Sequence, residues 1–190
     1  MNRLIVILFC LVLTSQAMVF GQNIALKNNL LYDLTLTPNL SLEVGVGRKF
    51  TLDLQTGLNP FNFSDNKKFK HYLIQPELRY WFCERFNGLF VGAHAHGGQF
   101  NVGGLKLPFN WVPSLEDHQY EGWFVGGGVS LGYQWILGNH WNLEASLGGG
   151  YARVNYDQYK CGTCGTRLKS GNLHYLGVTK AALSLVYIIK

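Results

Sequence analysis

The chain has 190 residues, 47% of them hydrophobic and only 14% charged, with 23 glycines and 5 prolines, whereas an average soluble domain is about 25% charged. That length holds one domain with a substantial core, and the composition excludes intrinsic disorder. The formal charge is +5; without residues 1–21, 15 basic face 11 acidic side chains, a surplus too small and too dispersed for a nucleic-acid partner.

"MNRLIVILFCLVLTSQAMVFGQ" opens with one positive charge, runs through an apolar stretch from Leu4 to Leu13 and ends in small and polar residues. It reads as a secretory signal peptide over residues 1–21, cut after Gly21 or, as second choice, after Ala17. The apolar run is too short for a bilayer-spanning helix, which needs about 20 residues, and Phe9 is too large for the position before a lipoprotein cysteine at Cys10. The mature domain then spans residues 22–190.

From there the apolar residues recur at every second position, the period of a strand whose side chains point alternately to opposite faces. The first strand is expected over 24–36, with Lys27 and Asp33 on its polar face. In the second, 39–46, Leu40, Leu42, Val44 and Val46 alternate with Asn39, Ser41, Glu43 and Gly45. The third, 50–62, sets Phe50, Leu52, Leu54 and Leu58 against Thr51, Asp53, Gln55 and Gly57. The fourth, 71–83, sets Tyr72, Ile74, Leu78, Tyr80 and Phe82 against Gln75, Glu77, Arg79 and Trp81. The fifth, 89–101, carries "AHAH", placing His94 and His96 on one face.

The sixth, 120–137, contains "FVGGGVSLGYQW", whose glycines come near the spacing of a dinucleotide loop. No helix follows to receive a pyrophosphate, so a strand is the better reading. The seventh and eighth are expected over 141–158, with Glu144 on its polar face, and 173–190, with Lys180 on its own. Three-residue turns at Thr37–Asn39, Gly47–Lys49 and Gly138–His140 keep the apolar parity across these junctions.

Eight antiparallel strands close into a small barrel without a free edge. Two such barrels are possible: a soluble, lipocalin-like one with its apolar face inward, and an outer-membrane one with that face outward. The polar faces of strands six and seven, Gly126, Gly128, Ser130, Gly132, Gln134 and Asn142, Glu144, Ser146, Gly148, Gly150, suit a crowded interior better than a solvated surface. The expected fold is therefore all-β, an eight-stranded antiparallel transmembrane barrel in the outer membrane of a Gram-negative bacterium.

The aromatic residues fall into two expected girdles: Phe50, Trp81, Phe82, Phe86, Trp135, Trp141 and Tyr187 at one end, and Phe61, Phe63, Tyr72, Phe100, Tyr120, Trp123 and Tyr156 at the other. The short turns then face the periplasm, and the longer connections 62–71, 102–119 and 159–172 face outward.

Inward parity collects Lys27, Asp33, Glu43, Asp53, Glu77, Arg79, Glu144 and Lys180 in one lumen. Their pairing predicts a structural plug, with a narrow pore or proton path as the alternative. His94 and His96 can contribute to a metal or act as a base. With no third ligand and no activated nucleophile recognisable, they read as hydrogen-bonded interior histidines, and neither metal nor cofactor is expected.

Cys161 and Cys164 in "YKCGTCGTRLKSG" read as a disulfide pinning the last outer loop. That leaves Cys83 as an odd thiol at the periplasmic rim. Lys67, Lys68, Lys70, Lys160, Arg167 and Lys169 make the outer rim basic, a match for lipopolysaccharide phosphates.

The segments "ALKNNLLYDLTLTPNLSLEVGV", "QPELRYWF", "GYQWILGNHWNLEASLGGGY", "CGTCG" and "GVTKAALSLVYIIK" resemble a family of small secreted proteins of unknown function found in Bacteroides-type bacteria and often encoded near fimbrial genes. The resemblance implies an outer-membrane-associated barrel linked to fimbria assembly, with fimbrial or other surface proteins as partners, and supplies no reaction. The chain departs from many outer-membrane barrels in ending "VYIIK" and not in an aromatic residue. The expected function is structural, adhesive or assembly-accessory, without catalysis. The alternatives are a lipid-modifying enzyme of the lipid A deacylase kind and a narrow porin; a soluble ligand-binding barrel comes third.

Overall fold

The computed structural model describes residues 24–61, 68–103, 118–160 and 167–189. The expected signal peptide, Phe63, Lys67 and the cysteine pair Cys161 and Cys164 lie outside them. The elements are β1 (Ile24–Asn29), α1 (Leu30–Leu34), β2 (Asn39–Gly45), β3 (Phe50–Asn59), β4 (Lys68–Trp81), β5 (Gly88–Gly103), β6 (His118–Ile136), β7 (Trp141–Lys160) and β8 (Arg167–Ile189). Each strand pairs antiparallel with its sequence neighbour, and β8 returns to β1, so the sheet is a closed barrel.

Period-two alternation accounts for the two surfaces. Along β3 burial alternates without a break from Phe50 to Asn59, because Thr51, Asp53, Gln55, Gly57 and Asn59 point inward and Leu52, Leu54 and Leu58 outward. The interior holds most of the polar groups, whereas Leu42, Leu52, Ile74, Leu78, Val129, Leu131 and Leu147 are exposed on the outside. This inverts the arrangement of a water-soluble domain, which buries its aliphatic side chains.

β1 differs from the expectation of a strand running to residue 36. It stops at Asn29, whose side chain accepts a bond from Leu31 N at 3.1 Å and caps the helical turn α1. Asn39 completes the stop: its Oδ1 accepts from Asn29 N at 2.7 Å and its Nδ2 donates to Asn29 O at 3.0 Å. Side-chain amides thus occupy backbone groups that a sheet ladder would otherwise use. Asn39 is accordingly the first residue of β2 and not the end of a three-residue turn. The other two short junctions are closed by Val46 N and Gly47 N onto Phe50 O and by Leu137 N onto Trp141 O.

The walls are unequal in height. β1, β2 and β3 have 6, 7 and 10 residues, whereas β6, β7 and β8 have 19, 20 and 23. β8 begins at Arg167, six residues before its expected start, and β4 at Lys68, three before its own. The barrel therefore has a short-turn end, where all strands meet, and a long-strand end, where β5–β8 rise above the rest.

Candidate functional site

The lumen is filled in layers. At the short-turn end the connection after β4 folds back into the barrel, with Phe86 at φ +63° and only 3% exposed. A bulky residue in the left-handed region is uncommon and persists where its surroundings hold it. Here Asn142 Nδ2 donates to Phe86 O at 3.2 Å and Arg85 Nη1 to Gly47 O at 3.3 Å. The Phe86 ring lies 6.1 Å from that of Trp81, which lies 4.7 Å from that of Phe90. Trp81 is fully buried, and its indole N–H donates to Thr51 Oγ1 at 2.9 Å. Trp81 and Phe86 are thus lumenal and not members of a girdle, because inward parity and a folded-back turn put them inside.

Above this aromatic layer lie Lys27, Arg79 and Lys180 with Glu43, Asp53, Glu77 and Glu144, all buried. Arg79 grips Glu144 with both arms, Nη1 to Oε2 at 2.9 Å and Nη2 to Oε1 at 3.0 Å, and also reaches Glu43 at 2.9 Å and Asp53 at 2.8 Å. The planar fork permits this; a point charge on an ammonium would not. Its guanidinium carbon sits 4.5 Å above the Phe90 ring. Lys27 pairs with Glu43 at 2.7 Å and Asp53 at 3.0 Å, and Lys180 with Glu77.

The carboxylates outnumber the cations, and hydroxyl donors take up the surplus: Ser41 donates to Asp53, Thr51 to Glu43 and Ser130 to Glu77. A buried ion pair holds only when its remaining lone pairs are satisfied in this way. The space left beside the layer is about 10 Å³, at or below the ~10–15 Å³ that one water needs. Gly92 makes the fit possible, since a Cβ there would fall on the Glu77 carboxylate and the Ser130 hydroxyl.

Of the expected charged residues the structure brings together seven and leaves out one. Asp33 lies in α1, exposed, where it accepts from Asn39 Nδ2 at 3.0 Å. The early stop of β1 removes it from the inward register.

His94 and His96 form the next layer, with ring centroids 5.7 Å apart. His94 Nε2 is 2.9 Å from Thr179 Oγ1. Thr179 reaches the lumen beside Lys180 because β8 is bulged there, the register shifting between Gly148 and Gly149 of β7; a bulge re-aims a side chain in this way. The Nδ1 atoms of both histidines and both amide atoms of Gln75 are buried without a hydrogen-bond partner among the described residues. No cluster of three or more metal-ligating side chains occurs among those residues.

Phe124 lies 6.1 Å from His96 and 6.4 Å from Phe100, a second aromatic layer over the first polar ones. Phe100, Tyr120 and Tyr156 share the inward parity of their strands and so do not belong to the outer girdle in which the sequence placed them. Beyond them a cavity of about 540 Å³ opens at the long-strand end, with Asn59, His71, Phe100 and Gly122 in its lining. On the outer surface the exposed aromatics include Phe50, Phe82, Trp135, Trp141 and Tyr187 at one level and Tyr72, Trp123 and Tyr151 at the other, whereas Tyr175 pairs with lumen-facing Ala152. Cys83 is free and exposed in the turn after β4.

Sequence reasoning left several site residues unassigned. Thr51, Ser41 and Phe90 were legible from parity alone. Thr179 was not, because a bulge leaves no period to read.

The chain matches the family model described as "Protein of unknown function (DUF3575)" over residues 4–189. Nearly the whole chain is covered, and it belongs to that family. No curated protein matches the chain.

Proposed function

We propose that this member of the DUF3575 family is an outer-membrane barrel of a Gram-negative bacterium, exported through a signal peptide over residues 1–21. Its role is structural, adhesive or assembly-accessory and not catalytic. The observation that carries the reading is the inversion of the barrel: charged side chains are buried in the lumen while aliphatic ones cover the outside. In water such a surface drives aggregation; in a bilayer it is the solvated face.

Two levels of exposed aromatics support it. Trp141 and Tyr151 stand ten residues apart on β7, about the length of a tilted spanning strand. The expected outer-rim cations Lys70, Arg167 and Lys169 lie at the long-strand end, where lipopolysaccharide phosphates are their natural counter-ions. Association with fimbrial or other surface proteins, in a Bacteroides-type bacterium, follows from the sequence resemblance and is part of the proposal. The Ser130 hydroxyl, engaged by Glu77, and the filled charged layer support a sealed, non-catalytic barrel over a lipid-modifying enzyme or a porin.

Membrane fractionation combined with gel migration before and after heating tests this. The protein is expected in the outer-membrane fraction, migrating faster unheated than heated. Recovery in soluble form without detergent would overturn the reading.

A further inference from the structure

The outer wall changes character toward the long-strand end. Lys70, Asn101, Glu121 and Asp157 follow one another in register across β4, β5, β6 and β7. One step nearer the short-turn end, Leu58, Tyr72, Gln99 and Trp123 do the same across β3–β6. Both rows have outward parity, and both line the cavity of about 540 Å³. It is therefore a groove on the outer side of the wall, floored by His71, Phe100 and Gly122 of the same strands.

The rings of Tyr72 and Trp123 are exposed in it, and such rings offer an apolar face beside a polar edge. Around them stand two amides, two carboxylates and one ammonium: Gln99, Asn101, Glu121, Asp157 and Lys70. Among the described residues no hydrogen bond or ion pair engages Lys70, Gln99 or Glu121. Asn101 Oδ1 accepts from Gln119 Nε2 at 2.8 Å, and Asp157 pairs with Arg167 at 3.4 Å. Amides donate and accept at once, as the hydroxyl groups of a sugar do. A phosphate would need a surplus of cations, and in this lining two carboxylates face a single ammonium.

A second groove, of about 440 Å³, adjoins the first and shares Leu58 and Tyr72 with it. It reaches one step further toward the short-turn end, where Leu40, Thr56 and Ile74 pair in register and are exposed. One stretch of wall thus passes from polar through aromatic to apolar. That is the profile of a lipid with a sugar headgroup.

We propose that this stretch of wall, over β2–β7, binds one glycolipid of the surrounding leaflet. An acyl chain lies between Leu40 and Ile74, a sugar ring rests on Trp123, and Gln99, Asn101 and Glu121 hydrogen-bond its hydroxyls. This rests on the outer-membrane reading, which brings such a lipid to this face. It deepens that reading by separating sugar recognition from the pairing of rim cations with phosphates.

The test titrates the full chain, extracted in a mild detergent, with lipid A carrying its inner-core sugars, and counts bound lipid by native mass spectrometry. One glycolipid per protein should bind, saturably. Trp123→Ala and Glu121→Ala should each weaken binding about tenfold. Trp135→Ala, which removes an exposed ring at the other end, should leave it unchanged. Both groove positions are exposed, so the variants should fold; heat-dependent gel migration verifies that. The core sugars cleaved from their lipid should bind at least about tenfold more weakly, because the acyl contact is lost.

No binding, equal binding of phosphatidylglycerol, equal affinity for the cleaved sugars, or indifference to both groove variants would each overturn the proposal. A chain recovered soluble without detergent that still binds the glycolipid through Trp123 would overturn the outer-membrane reading and leave the groove. A membrane-embedded chain that fails these tests would do the reverse.

Discussion

The two ends of this barrel solve opposite problems. At the short-turn end every strand is paired on both sides and the opening is filled from within by Phe86, Trp81 and Phe90. At the long-strand end β6–β8 extend far past β1–β3, a cavity of about 540 Å³ stands open and, among the described residues, β8 pairs with β1 only from Ile189 to Ser184. The first end uses its side chains to seal and hold the fold, and the second leaves a cavity open. Stability should therefore concentrate below the histidine layer and recognition above it.

Arg79→Ala attacks the lower region most directly. It leaves the carboxylates of Glu43, Asp53, Glu77 and Glu144 buried with only Lys27 and Lys180, and breaking a buried charge network in this way costs about 3–5 kcal/mol. Urea denaturation in micelles, followed by tryptophan fluorescence, should show that loss; a change under about 1 kcal/mol would mean that the layer does not hold the barrel together. Phe86→Ala removes the plug and is expected to cost about 3 kcal/mol by the same measurement.

Planar-bilayer recording probes the contrast between sealed and open. Wild type and Phe86→Ala should show no steady conductance, because the charged layer fills the lumen and leaves only about 10 Å³ of space beside it. The double variant Arg79→Ala, Phe86→Ala should leak. Steady conductance in wild type would make the barrel a pore and erase the difference between the ends. Gly92→Ala adds a Cβ where the Glu77 carboxylate and Ser130 hydroxyl already sit, an overpacking of about 1–3 kcal/mol. At the other end Leu168→Ser, on an exposed strand tip, should change stability by no more than about 0.5 kcal/mol.

Much of the lower region is legible in the amino-acid sequence. Parity alone collects Lys27, Glu43, Asp53, Glu77, Arg79, Glu144 and Lys180, since a strand leaves each side chain only two directions. The same rule misplaces Asp33, because Asn29 and Asn39 offer the backbone side-chain partners that end β1. Trp81 shows a different failure: its parity points inward, but its chemistry suggests an interface. Phe86 sits in a turn, where no periodicity exists to consult.

The number of strands, the polar face of each, and the gathering of polar and charged groups in one interior all follow from the order of residues along the chain. Period-two alternation is local, and it survives short turns that keep the count even. The folded barrel alone settles which carboxylate meets which cation, that a bulge turns Thr179 toward His94, that Phe86 closes one end, and that β8 outruns β1. Those features depend on register and on contacts between residues far apart in the chain, such as the 117 residues that separate Lys27 from Glu144. Closure of the barrel, and not any local preference, sets them.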